Sequence, residues 1–304
     1  MSKYICPVCR LPLTKQEHSY KCEKGHCFDI AAKGYVNLLL SKDMNAKLPG
    51  DNKMMVNARA DFLSKGYYSH LADEMSRAVT ENFTEGVILD AGCGEGYYTE
   101  KIYEAVKAKT DNIHLCAVDI SKFACARTAV RFKGDASCET AAASVFHIPM
   151  ADSSADVLVT MFAPFCREEY LRVLKKGGSL IMAIPAENHL FSLKKAIYDE
   201  PYKNETADYE IEGLDFTESR KISRKIFIDN SDDIKSLFSM TPYYYKTGVS
   251  GHERVNALTS LETEAEFEVL IYKKKSGYHF ESARLLTSIE YLQTGAAKAA
   301  NKRR

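Results

Sequence analysis

Two groups of residues in this 304-residue chain have types and spacings that could do chemistry. The first is Cys6-Pro7-Val8-Cys9, followed after twelve residues by Cys22-Glu23-Lys24-Gly25-His26. Two sulfurs two residues apart reach one ion from a tight turn, and the second pair completes a tetrahedron of zinc ligands. Four protein ligands leave no open position, so such a metal would be structural. Cys27, next to His26, is an alternative fourth ligand. So short a segment could scarcely bury a core of its own, and metal binding would supply its folding free energy. The second group is Asp90-Ala91-Gly92-Cys93-Gly94-Glu95-Gly96, entered from the apolar run Val87-Ile88-Leu89 and left through a helix-like stretch. Glycines at alternate positions let the backbone turn tightly and approach a ligand. A loop between a strand end and a helix N-terminus is where open α/β sheets bind nucleotide-like molecules. A dinucleotide fingerprint would need Gly or Ala where Tyr97 stands.

These groups need elements to position them. Hydrophobic content of 45% and charged content of 27% suit a soluble globular protein of one or two domains. Nine cysteines, with no signal-peptide core and no span long enough for a bilayer, point to a reducing cytoplasm, no membrane partner, and metal ligation over disulfides. Net charge is zero, yet residues 1–65 hold 11 Lys and Arg against 6 Asp and Glu. A basic small module on an acidic body suggests a polyanionic partner. After the hinge Pro49-Gly50-Asp51, helical spacing runs over 55–63, breaks at Gly66-Tyr67-Tyr68, and resumes over 70–79. Strands ending at Asp90 and Asp119 and at 138–143, 156–160 and 179–184 alternate with helices at 98–107, 122–132 and 168–174. That alternation predicts an α/β, doubly wound sheet with a final strand at 267–272. Residues 200–225 read as a polar loop or a substrate-facing insertion. The end of the chain is basic: Lys298, Lys302, Arg303, Arg304.

The spacing Asp90-x-Gly92-x-Gly94-x-Gly96 resembles the first motif of the class I S-adenosylmethionine-dependent methyltransferases. In them the loop backs onto the methionine part of the cofactor, and a carboxylate one strand later holds the ribose hydroxyls; Asp119 stands there. A carboxylate accepts two hydroxyl hydrogen bonds but repels phosphate, which favours a nucleoside ligand. The cysteine cluster, residues 28–39, Pro49-Gly50-Asp51, residues 66–68 and residues 90–99, in that order, resemble the bacterial 23S rRNA guanine-N1 methyltransferases of the RlmA family over most of residues 1–200. The resemblance implies a Rossmann-like seven-stranded methyltransferase sheet with a small N-terminal zinc-binding domain. Its parts would be a zinc-binding RNA-recognition module (1–35), a linker and helical lid (36–84), the methyltransferase domain (85–275) and a C-terminal extension (276–304). It implies S-adenosyl-L-methionine held by Tyr68, Asp90, Gly92, Gly94, Glu95, Gly96, Asp119 and His189, and one structural Zn2+ on Cys6, Cys9, Cys22 and His26. Ala143-Ser144 would meet the adenine.

The same resemblance makes 23S rRNA the partner, with a target guanine in hairpin 35. Met161-Phe162-Ala163-Pro164 stands where methyltransferases of planar nitrogen place an aromatic and a proline against the base; Phe162 replaces the family's tyrosine. Guanine N1 carries a proton that must leave, and no residue in the sequence identifies itself as its acceptor. Two other readings stay open: a small-molecule methyltransferase with a zinc module for dimerisation, and a non-catalytic RNA-binding protein. A homodimer is also left open. Deleting residues 1–35 is expected to abolish rRNA methylation while cofactor binding by the remaining body survives.

Overall fold

The apolar run before the glycine motif forms a central strand. In the computed structural model, which describes residues 2–40, 50–205 and 209–277, that strand is β5 (Gly86–Ala91). It runs parallel to β6 (Ile113–Asp119) on one side and β8 (Ala155–Met161) on the other. Alternate side chains leave a strand on opposite faces, so Val87 and Leu89 enter one core and Ile88 the other. Outward on one side lie β7 (Cys138–Ala142) and the two-residue β4 (Val36–Asn37), both parallel. On the other side lie β9 (Leu174–Pro185), the antiparallel β11 (Leu261–Lys274), and the edge strand β10 (Leu214–Ile228). Among the described residues the sheet has eight strands, in the order β10-β11-β9-β8-β5-β6-β7-β4.

Helices cover both faces. Over Ile88, Leu115 and Val157 lie α1 (Lys53–Ser64), α2 (Ser69–Asn82) and α3 (Tyr97–Lys107), which bury Phe62, Leu71, Met75, Ile102 and Val106. Asn52 caps α1 by accepting from the Met55 N–H at 3.0 Å. On this face too are α6 (Phe191–Ile197), α7 (Ser231–Ser239), α8 (Tyr243–Lys246) and α9 (Val249–Ala257). The helix α4 (Lys122–Arg131) packs on β6 and β7. On the opposite face α5 (Arg167–Val173) buries Tyr170 and Leu171 beside Leu89 and Leu158. That face is also covered in part by the N-terminal segment, with a three-stranded antiparallel ribbon of β1 (Thr14–Lys15), β2 (Ser19–Lys21) and β3 (Cys27–Asp29).

Three sequence expectations change. Within residues 200–225, read as a polar loop or a substrate-facing insertion, the part from Leu214 onward belongs to a 15-residue strand that runs to Ile228. It pairs on one side only, and much of its length exposes charged side chains, so it lacks the apolar alternation that marks a half-buried strand. The seven-stranded sheet gains an eighth strand, because Val36 and Asn37, assigned to the linker, pair with Ala141 and Ala142. The ribbon is not left to its metal alone: Tyr4, Leu13 and Tyr20 share one core with Val87, Leu89 and Cys116. Pro49 and the extension from residue 278 lie outside the described residues.

Candidate functional site

The three motif glycines all have positive φ, 94° at Gly92, 57° at Gly94 and 89° at Gly96, a region L side chains avoid. Space decides the rest. A Cβ on Gly92 would lie 2.4 Å from Ala163 Cβ, and one on Gly96 would lie 2.9 Å from Thr128 Oγ1. Gly94 is the open one: the nearest atom to a Cβ there is Arg59 Nη1, at 3.6 Å.

The acids around the loop divide into two kinds. Asp119, at the end of β6, accepts from the Gly94 N–H at 2.9 Å and from the Ser121 N–H at 2.8 Å. Burial pushes its carboxyl pKa up, and those two N–H groups oppose the rise. Each oxygen keeps a lone pair for a further donor, such as a ribose hydroxyl. Asp90 is buried under the loop and accepts from Thr99 Oγ1 at 2.6 Å; burial pushes its pKa up to about 7. Glu95 turns its carboxylate to α4, where it pairs with Arg131 at 2.5 Å, and it also accepts from the Tyr97 N–H. The hinge closes over this side: Ser121 Oγ donates to the Asp51 carbonyl at 2.6 Å. Ala143, beyond β7, donates its N–H to the Asp119 carbonyl at 2.9 Å, and Ser144 beside it is buried.

A second wall is aromatic. Phe267 of β11 lies 4.9 Å from Tyr68, 4.5 Å from His189 and 5.7 Å from Phe162, centroid to centroid. Tyr68 ends the turn before α2, and His189 lies in the turn between β9 and α6. Phe162, just past β8, has φ 56° and is 49% exposed, so its ring stands at the mouth of this enclosure. Burial, aided by the Lys194 charge, lowers the His189 pKa to about 3 against an opposing pull from the Glu266 carbonyl, so the ring is neutral at pH 7. Its Nδ1 and the hydroxyls of Tyr68 and Tyr98 are buried without a hydrogen-bond partner. Orphaned buried polar atoms are costly and call for a ligand or water. Lone pairs on Asp119, bare space at Gly94 and three orphans fit a molecule with hydroxyl, ammonium and carboxylate groups, as S-adenosylmethionine has. Tyr98 and Phe267 were missed at the sequence level. One reads as a helix residue and the other as strand core, and neither type marks a site.

The zinc ligands converge. Cys6, Cys9, Cys22 and His26 bring their ligand atoms within 4.8 Å of one another. Cys6 Sγ and Cys22 Sγ lie 3.5 and 3.3 Å from His26 Nδ1, and Cys9 Sγ lies 3.6 Å from Cys22 Sγ. A tetrahedral ion with bonds of about 2.3 Å to sulfur and about 2.1 Å to nitrogen spaces its ligands by roughly 3.5–3.8 Å. The four fit zinc. Cys27 is exposed on β3 and outside the cluster, so it is His26 that completes a four-residue set suited to zinc. Glu139 of β7 ties this ribbon to the sheet: its oxygens accept from Tyr20 OH at 3.0 Å, the Lys3 N–H at 2.9 Å and His114 Nε2 at 2.7 Å.

Comparison with known proteins agrees with both halves. Residues 4–46 match the zinc-ribbon family described as RlmA, N-terminal, and residues 88–178 match a methyltransferase domain. A protein of Micromonospora griseorubida carrying the name of a 23S rRNA (guanine-N1)-methyltransferase is 30% identical over 308 residues, 94% of this chain and 90% of that one. The 23S rRNA (guanine(748)-N1)-methyltransferase of Streptomyces fradiae is 32% identical over 196 residues, 63% of this chain and 66% of its own. YxjB of Bacillus subtilis, named for the same guanine-N1 activity, is 27% identical over 288 residues, 90% of this chain and 98% of that one. With a zinc ribbon docked on a class I S-adenosylmethionine-dependent methyltransferase sheet, the chain belongs to the RlmA-type 23S rRNA (guanine-N1)-methyltransferases.

Proposed function

We propose that this protein methylates N1 of a guanine in hairpin 35 of 23S rRNA in the cytoplasm, and that Tyr68, Asp90, Gly92, Gly94, Glu95, Gly96, Asp119 and His189 build its cofactor site. The observation that carries this reading is Phe162. A non-glycine residue held at φ 56° stores strain that surroundings must enforce, and such residues cluster at working sites. Here the strain turns a half-exposed ring to the mouth of the enclosure that the glycine loop, Tyr68 and His189 line. A flat ring there can stack on a base. Phenylalanine in place of the family's tyrosine means the hydroxyl is dispensable for that role.

The bound cofactor supplies an electrophilic methyl group on a sulfonium. The chain's own contribution is alignment and exclusion of water, which an in-line displacement mainly needs. Gly94 would back the methionine end and Asp119 would hold the ribose hydroxyls, and Asp90 and Glu95 brace the loop through Thr99 and Arg131. N1 lies on the Watson–Crick edge, so the guanine must be unpaired or flipped out. The basic N-terminal region would contact phosphates, which position an RNA without reading its bases.

Primer extension on 23S rRNA tests the proposal, because a methyl at N1 blocks pairing and stops the polymerase. A stop in hairpin 35 should vanish in a strain lacking this protein and return when purified protein and cofactor are added to the unmodified RNA. A strain that keeps every such stop would move the substrate to a small molecule.

A further inference from the structure

A cofactor of this kind ends in an amino acid, and a carboxylate taken from water needs a cation or several N–H donors. Two guanidinium groups stand beside the glycine loop. Arg131 is committed: it holds Glu95 at 2.5 Å and Glu100 at 2.6 Å. Arg59 differs. Its Nη2 pairs with Asp51 at 2.7 Å and reaches toward the Met240 carbonyl at 3.4 Å, which holds the side chain in place. Its Nη1 is turned to the loop, 3.6 Å from where a Cβ on Gly94 would be. Gly94 is the motif glycine with free space above it, so the guanidinium overhangs the ground a ligand would occupy. A guanidinium fork can serve one carboxylate with one nitrogen and a second with the other.

A second donor stands in the first turn of α3, two residues after Gly96. The Tyr98 hydroxyl is buried and unpartnered. Burial pushes its pKa well up, Tyr68 adds to the rise, and the Arg59 charge opposes it. We propose that Arg59 clamps the carboxylate of the cofactor's methionine end, with the Tyr98 hydroxyl as second donor. This rests on the cofactor reading above and adds residues to it.

Calorimetry with two probes tests it. S-adenosylhomocysteine carries the amino-acid end; 5′-methylthioadenosine lacks it. Arg59→Met should weaken S-adenosylhomocysteine by about 10- to 100-fold, the scale of charged hydrogen bonds. Its affinity for methylthioadenosine should stay within about twofold, and Arg59→Lys should recover part of the loss. Equal weakening of both probes would mean that Arg59 acts only by pinning Asp51, and unchanged binding of both would remove the clamp; either overturns the proposal. Should Arg59→Met fail to fold, the unmodified protein suffices: the methyl ester of S-adenosylhomocysteine should bind at least tenfold more weakly than the acid. Equal affinity for ester and acid refutes the clamp. If the unmodified protein takes up neither probe, the cofactor reading itself falls and the clamp with it.

Discussion

Replacing Glu139 by glutamine should loosen the zinc ribbon from the sheet. Against the upward push of burial, hydrogen bonds from His114 and the Lys3 N–H bring its pKa down to about 2 from an ordinary 4.5. At about 1.36 kcal/mol per pH unit, that gap corresponds to roughly 3 kcal/mol of stability. The sign follows from the depressed value. Above pH 4.5 the carboxylate is ionised in folded and unfolded chains alike, and the whole contribution is present. Between 4.5 and 2 the unfolded chain takes up the proton first, and the contribution drains away, to about 1.4 kcal/mol at pH 3. Glu139→Gln keeps the shape and removes the charge. Urea denaturation should therefore find the variant about 3 kcal/mol less stable at pH 7, with the difference less than half as large at pH 3. Zinc release by acid affects both proteins and cancels in the difference. Since Lys3 and Tyr20 belong to the ribbon and His114 to the sheet, proteolysis within residues 2–40 should also speed up. A variant as stable as its parent at pH 7, or a deficit that does not change with pH, refutes the reasoning.

Metal analysis should find about one zinc per chain; Cys6→Ser with Cys9→Ser should lose it, His26→Ala should weaken it, and Cys27→Ala, at an exposed position, should keep it. Asp119→Ala should weaken cofactor binding by about 1–3 kcal/mol in calorimetry. Gly92→Ala should abolish it, since its Cβ would stand 2.4 Å from Ala163 Cβ. Asp90 carries the opposite pH sign from Glu139. With its pKa raised from 3.8 to about 7, the folded chain holds a proton that the unfolded chain has lost, so stability falls as pH rises through that window, by roughly 4 kcal/mol. Asp90→Asn should flatten that slope in melting temperature against pH, and an unchanged slope would reject the buried-acid account. Deleting the ribbon, expected at first to spare cofactor binding, should instead destabilise the body, because Tyr4, Leu13 and Tyr20 would leave the core holding Val87 and Leu89 uncovered; calorimetric cofactor binding by the truncated chain would contradict this.

Local spacing carried much of the meaning in this chain. Cys-x-x-Cys and Cys-x-x-x-His name a metal because ligand geometry is short-ranged, and the alternate glycines after Val87-Ile88-Leu89 name a strand, a turn and a ligand loop. The alternation of apolar runs with helical spacing was enough for the parallel sheet, since β5, β6 and β8 are buried on both faces and read as unbroken apolar stretches. Long-range pairing decided the rest. The strand β10 was illegible because its partner β11, and not its own pattern, makes it a strand. His26 against Cys27 was open until the ribbon's turn put one side chain inward and the other out to solvent. Tyr98, Phe267 and Arg59 carry no signal in sequence; what they offer is a position, reached only when α1, α3 and β11 come together in the folded chain. The ribbon's dependence on the sheet is of the same kind. A short segment's lack of core is visible in its length, but that it borrows one through Tyr4, Tyr20 and Glu139 is set by contacts spanning more than a hundred residues of chain, as the Tyr4 hydroxyl on the Glu139 carbonyl at 2.9 Å shows.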